Sequence, residues 1–182
     1  KISNIPYENF KIGADVINFM LGPVTVVLAV PLYRQFDLLK KHFKEILVGI
    51  LGGVITSFII VVLIGKLTST SNEIIYSMIP KSITTPMGIY LVNQLGGVES
   101  ITVVCIIVTG IFGNIFAEQL LKIGKVNHPV AKGIAIGTSA HALGTSKALE
   151  IGEVEGAMSS LSIGISGIMT VIIVPILMNF IK

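Results

Sequence analysis

Long stretches without a charged side chain constrain the fold of this sequence more than any other feature. Six such stretches lie at residues 16–33, 46–65, 82–98, 100–117, 133–146 and 156–181. About 20 helical residues cross the hydrocarbon core of a bilayer, so at least four of these stretches are candidates for membrane spans. A soluble domain is excluded, because only 13% of the residues are charged, against about 25% in ordinary soluble domains.

The pattern predicts an all-α, polytopic helical membrane protein that forms a single membrane domain over residues 1–182. We expect full spans at about 16–33, 46–65, 100–121 and 156–181, and two broken or re-entrant segments at about 74–93 and 129–149. Proline and glycine residues inside the first span predict that it is bent. Two interrupted segments separated by a regular span also suggest a pair of related halves, the inverted-repeat arrangement from which many carriers are built.

The basic loops predict how the spans are oriented. The densest group of Lys and Arg lies between residues 34 and 44, and the positive-inside rule places that loop in the cytoplasm. Three more lysines lie between residues 122 and 132. If this second loop is also cytoplasmic, segment 74–93 enters and leaves on one face as a hairpin. If segment 74–93 crosses fully as a broken helix, the second loop lies outside. Counting Lys and Arg favours the hairpin.

The two interrupted segments hold polar residues at membrane depth. Backbone that leaves a helix there is tolerated only against protein or around a polar cavity, because lipid cannot satisfy its N–H and C=O groups. Helix N-termini and hydroxyl groups in such a cavity suit a small carboxylate, with Lys81 and Lys147 as counter-charges. We therefore predict substrate binding by Lys81, Ser82, Thr84, Thr85, Pro86, Gly137, Thr138, Ser139, His141, Gly144, Thr145 and Lys147. The alternative is a pair of ordinary Pro/Gly interruptions healed by neighbouring helices.

Two residues are candidates for proton coupling. His141 is the one histidine inside an apolar segment, and an imidazole titrates near neutral pH. The alternative for His141 is a neutral ring whose N–H is satisfied by a backbone carbonyl. Glu118 is a carboxylate within a predicted span, where a functional role is the default. Lys122 follows it at the i,i+4 spacing of a helical ion pair, which favours a structural role.

Other classes of function receive little support. Ser139 and His141 lie two residues apart, so they do not face each other on a helix, and no GxSxG motif occurs; we predict no enzyme. The three histidines and Cys105 lack the spacing of a zinc site, and no phosphate-binding loop occurs, so we expect no metal and no other cofactor. The basic residues lie between spans rather than in a stripe, which argues against a nucleic-acid partner.

Four stretches of the sequence carry a family resemblance. They are LGPVTVVLAVPLY (residues 21–33), PKSITTPMG (80–88), HPVAKGIAIGTSAHALGTSKALE (128–150) and GAMSSLSIGISGIMT (156–170). Through them the sequence resembles the LrgB/CidB family of holin/antiholin-like membrane proteins. That family normally has further membrane helices before the stretch at residues 5–13, so we expect this chain to begin inside a longer protein.

The resemblance implies a multi-pass protein of the bacterial cytoplasmic membrane that is partnered by a small LrgA/CidA-type holin-like protein. It implies a link to murein hydrolase control, autolysis and programmed cell death. Plant relatives resemble plastidal glycolate/glycerate carriers, and bacterial relatives are associated with pyruvate movement. We also expect a homo-oligomer in the lipid bilayer.

Two functions follow from these observations. One is a carrier or channel for small monocarboxylates of the pyruvate, glycolate and glycerate class. The other is a holin/antiholin-like lesion protein that regulates murein hydrolase export and autolysis. A lesion needs only oligomerising spans, whereas a carrier needs a central polar site. The two interrupted segments therefore favour the carrier.

Overall fold

The computed structural model describes residues 33–179 and, before them, residues 11, 13–15, 19, 23, 26, 27 and 30. The predicted span at 16–33 therefore falls largely outside the described residues, as do the last two residues of the predicted span at 156–181.

Every regular element between residues 33 and 179 is helical. The elements are α1 (Phe36–Lys41), α2 (Phe43–Leu67), α3 (Asn72–Met78), a 3₁₀ turn (Ile79–Ser82), α4 (Thr85–Leu95), α5 (Glu99–Ile123), α6 (Pro129–Ile151) and α7 (Glu153–Met178). The prediction of an all-α fold is confirmed. Helices α2, α5 and α7 have 25, 25 and 26 residues and are apolar enough to cross a membrane. Most of their surface is not buried within the chain, as expected of helices that face lipid.

The segment between α2 and α5 is a hairpin whose two arms are α3 and α4. Pro80 and Pro86 lack the backbone N–H that a continuous helix needs, and the chain is extended at Ile83 and Thr84 between the arms. Beyond the turn, α4 leads back to α3: the backbone N–H of Val98 donates to the Ser77 hydroxyl at 2.7 Å. Segment 74–93 is therefore folded back on itself as a hairpin.

Helix α6 is a second hairpin, because its path reverses at His141. The backbone there has φ 43° and ψ −139°, which no helix contains. Gly144, after the reversal, lies close to Ile136, before it: a Cβ added to Gly144 would be 3.0 Å from Cγ2 of Ile136. In a straight helix, residues eight apart are separated by about 12 Å along the axis. The arm before His141 and the arm after it therefore lie side by side.

Both arms of α6 pack against the beginning of α7. Gly137 in the first arm lies against the backbone of Ser159, where a Cβ would come within 2.8 Å of the Ser159 Cα. Thr145 in the second arm has its hydroxyl 2.7 Å from that of Ser159. Gly156 lies close to Leu149 near the end of the second arm. Both ends of the second hairpin are therefore at the face where α7 begins.

The two hairpins enter from opposite faces of the helical layer. Helix α2 runs in the same direction as the first arm of α6, since Gly49 lies opposite Ile134 and Gly53 lies opposite Thr138. Helix α2 therefore ends at the far face, where Gly65 packs on Ile75 of the first hairpin. Helix α5 runs back from that face. The unit of α2 and the first hairpin thus has the inverted orientation of the unit of α5 and the second hairpin.

The basic loops lie together at one face, which we call the basic face. The guanidinium of Arg34 lies 3.7 Å from a carboxylate oxygen of Glu153 at the start of α7. The rings of His42 and His128, which precede α2 and α6, are 6.0 Å apart between centroids. The loop at residues 34–44 and the loop at residues 122–132 therefore share a face, to which the second hairpin also returns.

We expect Gly137→Ala to destabilise the fold. The new methyl group would meet the backbone of Ser159, which cannot rotate away, and overpacking of this kind costs about 1–3 kcal/mol. Gly164→Ala is the matched control, because Gly164 is also in a helix but has open space at its Cβ. The measurement is the unfolded fraction of the purified protein in mixed micelles as the denaturing detergent is increased. Equal stability of the two variants would contradict the close packing of α6 on α7.

Candidate functional site

A cavity of about 760 Å³ lies between α2 and the first arm of α6. It extends from His42, Glu45 and His128 at the basic face to the 3₁₀ turn at the tip of the first hairpin. Half of its lining residues are glycine, alanine, valine or isoleucine. The polar groups are concentrated at its two ends.

The deep end of the cavity contains a lysine held by two hydroxyl groups. The Lys81 ammonium donates to Ser82 Oγ at 3.0 Å and to Ser57 Oγ at 3.3 Å. Ser57 comes from the middle of α2, and Lys81 and Ser82 from the tip of the first hairpin. Within the described part of the chain, Lys81 has no carboxylate partner within 4.0 Å. A partly buried cation without a counter-charge attracts an anion, because the field of one charge is strong where water is scarce.

Thr138 adds an unsatisfied hydroxyl beside this cluster. The residue is 7% exposed, and its Oγ1 has no hydrogen-bond partner among the described residues. A void of about 10 Å³ lies next to it and is also lined by Ser57, Ser82 and Thr170. A buried hydroxyl without a partner costs about 1–3 kcal/mol. Thr138 therefore retains hydrogen-bonding capacity at the place where the hairpin tips meet.

His141 makes the turn of the second hairpin. Its Nε2 lies 2.9 Å from the carbonyl oxygen of Ile106. A carbonyl only accepts, so Nε2 carries the hydrogen. The carbonyl of His141 in turn accepts from the Thr145 hydroxyl at 2.9 Å. The structure thus shows the backbone-satisfied arrangement that the sequence left as the alternative to proton coupling, and it places the ring outside the cavity wall.

The structure brings only part of the predicted site together. Lys81, Ser82, Thr138 and Ser139 line the cavity. Thr84, Thr85 and Pro86 instead form the start of α4. Gly137, Gly144 and Thr145 occupy the packing contacts of the second hairpin.

Lys147 is placed differently from its prediction as a counter-charge. Its ammonium is 2.9 Å from a carboxylate oxygen of Glu118 and 3.1 Å from one of Glu150. It does not line the cavity, because the reversal at His141 carries the second arm away from it. Glu118 is therefore paired across two helices with Lys147, not with Lys122 along its own helix as its spacing suggested.

Sequence reasoning missed the wall that α2 contributes. Ser57 supplies a hydroxyl to Lys81, and Gly49, Gly52 and Thr56 line the cavity nearer the basic face. The signal was present, because Gly49, Gly53 and Ser57 follow at intervals of four and lie on one face of a helix. No group of three His, Cys, Asp or Glu side chains in the described part of the chain is placed to hold a metal ion.

Comparison with known proteins assigns the family. The family model of the LrgB-like family matches residues 1–180. The chain belongs to the LrgB-like family. An antiholin-like protein LrgB from Bacillus cereus is 37% identical over 181 residues, which cover 100% of this chain and 79% of the relative. A protein of the same name from Bacillus anthracis has the same identity and coverage.

The LrgB-like family and the three apolar helices together make this chain a membrane protein, as the sequence predicted. The resemblance to LrgB/CidB proteins is confirmed. Neither relative bears the name of an enzyme. No solved structure matches the chain significantly.

We expect His141→Gly to be more stable than His141→Ala. Both variants lose the bond to Ile106, but glycine adopts a positive φ without the strain that a side chain causes there. The difference should be about 1–3 kcal/mol in detergent unfolding. His128→Ala, which removes an exposed histidine, is the control and should change stability by less than about 0.5 kcal/mol. Identical stabilities for the glycine and alanine variants would show that the backbone at position 141 is not constrained.

Proposed function

We propose that this chain is an antiholin-like protein of the bacterial cytoplasmic membrane that binds small monocarboxylates and carries them across the bilayer. The observation that carries the proposal is Lys81. Its ammonium has no carboxylate partner in the described part of the chain. It lies at the deep end of a cavity that reaches the basic face.

The groups around Lys81 suit one carboxylate. The ammonium supplies a charge-assisted hydrogen bond, and the hydroxyls of Ser57 and Ser82 supply two more donors. Donors from α2 and from the hairpin tip would then converge on the two oxygens of the substrate.

Apolar side chains lie beyond Lys81. Towards the far face, a buried apolar cluster fills the space between α2, the first hairpin and the end of α7; its members include Phe58, Val61, Ile79, Ile83 and Val174. The cavity therefore communicates with the basic face, which the positive-inside rule assigns to the cytoplasm. Because the two hairpins are inverted and meet at the site, we expect a second state in which the site is open to the far face and closed to the basic face.

A second candidate function rests on the relatives, which are named antiholin-like. In that account the chain regulates murein hydrolase export and autolysis by oligomerising and by assembling with a small LrgA/CidA-type protein. Such a protein needs no substrate. The names favour this account, and the cavity favours the carrier.

We expect purified protein in liposomes to take up labelled pyruvate or glycolate in a saturable manner. Lys81→Gln should raise the substrate concentration at half-saturation by about tenfold to a hundredfold, since hydrogen bonds to a charged group contribute about 1.5–3 kcal/mol. Lys66→Gln is the control, because Lys66 is exposed at the far end of α2. Dye leakage that is unselective for size and equal in both variants would support the lesion account and contradict the carrier.

A further inference from the structure

The shape of the cavity points beyond acids of two or three carbons. Resting on the proposed function, we propose that the same site takes monocarboxylates with an unbranched apolar tail, and that Gly52 leaves the space for that tail. The carboxylate would sit at Lys81 and the tail would extend along α2 towards the basic face. Gly52 would then set which chain lengths the protein accepts.

Polar and apolar groups are distributed unevenly along the cavity. The charged group and the hydroxyls at the deep end belong to Lys81, Ser57 and Ser82. Between them and the mouth, the wall includes the hydroxyl residues Thr56 and Ser139 but consists mainly of small or aliphatic residues, among them Gly49, Gly52, Ala131, Ile134 and Ala135. A uniformly polar substrate would leave this wall without a partner, whereas an acid with an alkyl tail matches both parts. Charge complementarity fixes the direction of the tail, because the ammonium of Lys81, which has no carboxylate partner among the described residues, lies at the deep end.

The cavity is also larger than an acid of two or three carbons needs. A cavity of about 760 Å³ falls in the range of roughly 300–1,000 Å³ that holds drug-sized ligands. A three-carbon acid occupies a small part of that volume. Each methylene moved from water into an apolar site contributes about 0.8 kcal/mol, which is about three- to fourfold in affinity. Longer tails should therefore bind more tightly until they reach the polar mouth at Glu45, about 18 Å along α2 from Ser57.

Gly52 lines the cavity without contacting the opposite arm of α6. Three glycines of α2 line the cavity, and two of them touch the opposite arm: a Cβ on Gly53 would lie 2.7 Å from the Thr138 methyl, and one on Gly49 would lie 3.5 Å from Ile134. A Cβ on Gly52 would meet none of the described residues within 4 Å. A larger side chain there would enter the cavity without displacing α2 from α6. It would block the path of the tail while leaving Lys81 and its hydroxyls in place.

The experiment compares butyrate, hexanoate and octanoate by calorimetric titration of the full-length protein in nanodiscs. For the wild type and for Gly164→Leu, we expect the dissociation constant to fall about three- to fourfold per methylene. Gly164→Leu is the matched control, because Gly164 also has open space but does not line the cavity. For Gly52→Leu, we expect butyrate to bind as in the wild type and octanoate to bind at least tenfold more weakly.

Three outcomes would overturn this inference. One is an affinity that does not depend on chain length, and another is a Gly52→Leu protein that binds octanoate as the wild type does. The third is octanoate binding that survives Lys81→Gln, which would show partition into the bilayer. If butyrate and pyruvate bind through Lys81 without dependence on length, the proposed function stands and the tail site alone fails. If no acid binds the wild type, both fail.

Discussion

The fold depends on how two interrupted helices satisfy their backbone groups where lipid offers no hydrogen bonds. At each interruption the chain folds back on itself as a hairpin, and side chains of the hairpin bind the exposed backbone groups. In the first hairpin, the exit of α4 is tied to α3 through the fully buried Ser77, whose hydroxyl accepts from Val98 and whose carbonyl accepts from Thr102. In the second, Thr145 donates to the carbonyl of His141 while the ring of His141 reaches Ile106. The polar side chains of these hairpins thus replace solvent.

The cavity follows from this solution. Because the hairpins enter from opposite faces, their tips meet in the middle of the layer and bring Ser82 and Thr138 to the same void. The glycines of α2 and α6 allow the backbones to approach closely, and the first arm of α6 leaves a groove beside α2. The Lys81 ammonium is held in that groove by the hydroxyls of Ser57 and Ser82. The packing of the hairpins thus leaves a cation without a carboxylate partner among the described residues, and the proposed substrate site is built on it.

The sequence predicted the elements better than their paths. Charge-free windows locate the long apolar helices because a bilayer demands length and low charge, and Pro80 and Pro86 mark the first interruption because proline removes backbone donors. The reversal at His141 has no such mark. Histidine is not a residue that favours positive φ as glycine does, and the antiparallel arms become visible only in tertiary contacts, such as those of Gly144 with Ile136 and of Gly137 and Thr145 with Ser159. This is also why Lys147 was assigned to the site: in an unreversed segment it would follow Thr138 along the same path. Ser57 was missed because its spacing of four from Gly49 and Gly53 indicates a close helix contact, and nothing local shows that the face also lines a cavity.

In this topology the second hairpin returns to the face from which it starts, opposite to the face of the first. Cysteine labelling with a membrane-impermeant maleimide can test this arrangement, in sealed vesicles of one orientation and with Cys105 replaced by serine. Lys125→Cys before α6 and Glu150→Cys at its end should label from one side, and Ser71→Cys and Gln94→Cys around the first hairpin should label from the other. Labelling of positions 125 and 150 from opposite sides would show that α6 crosses the membrane, and would contradict both the paired hairpins and the site built on them.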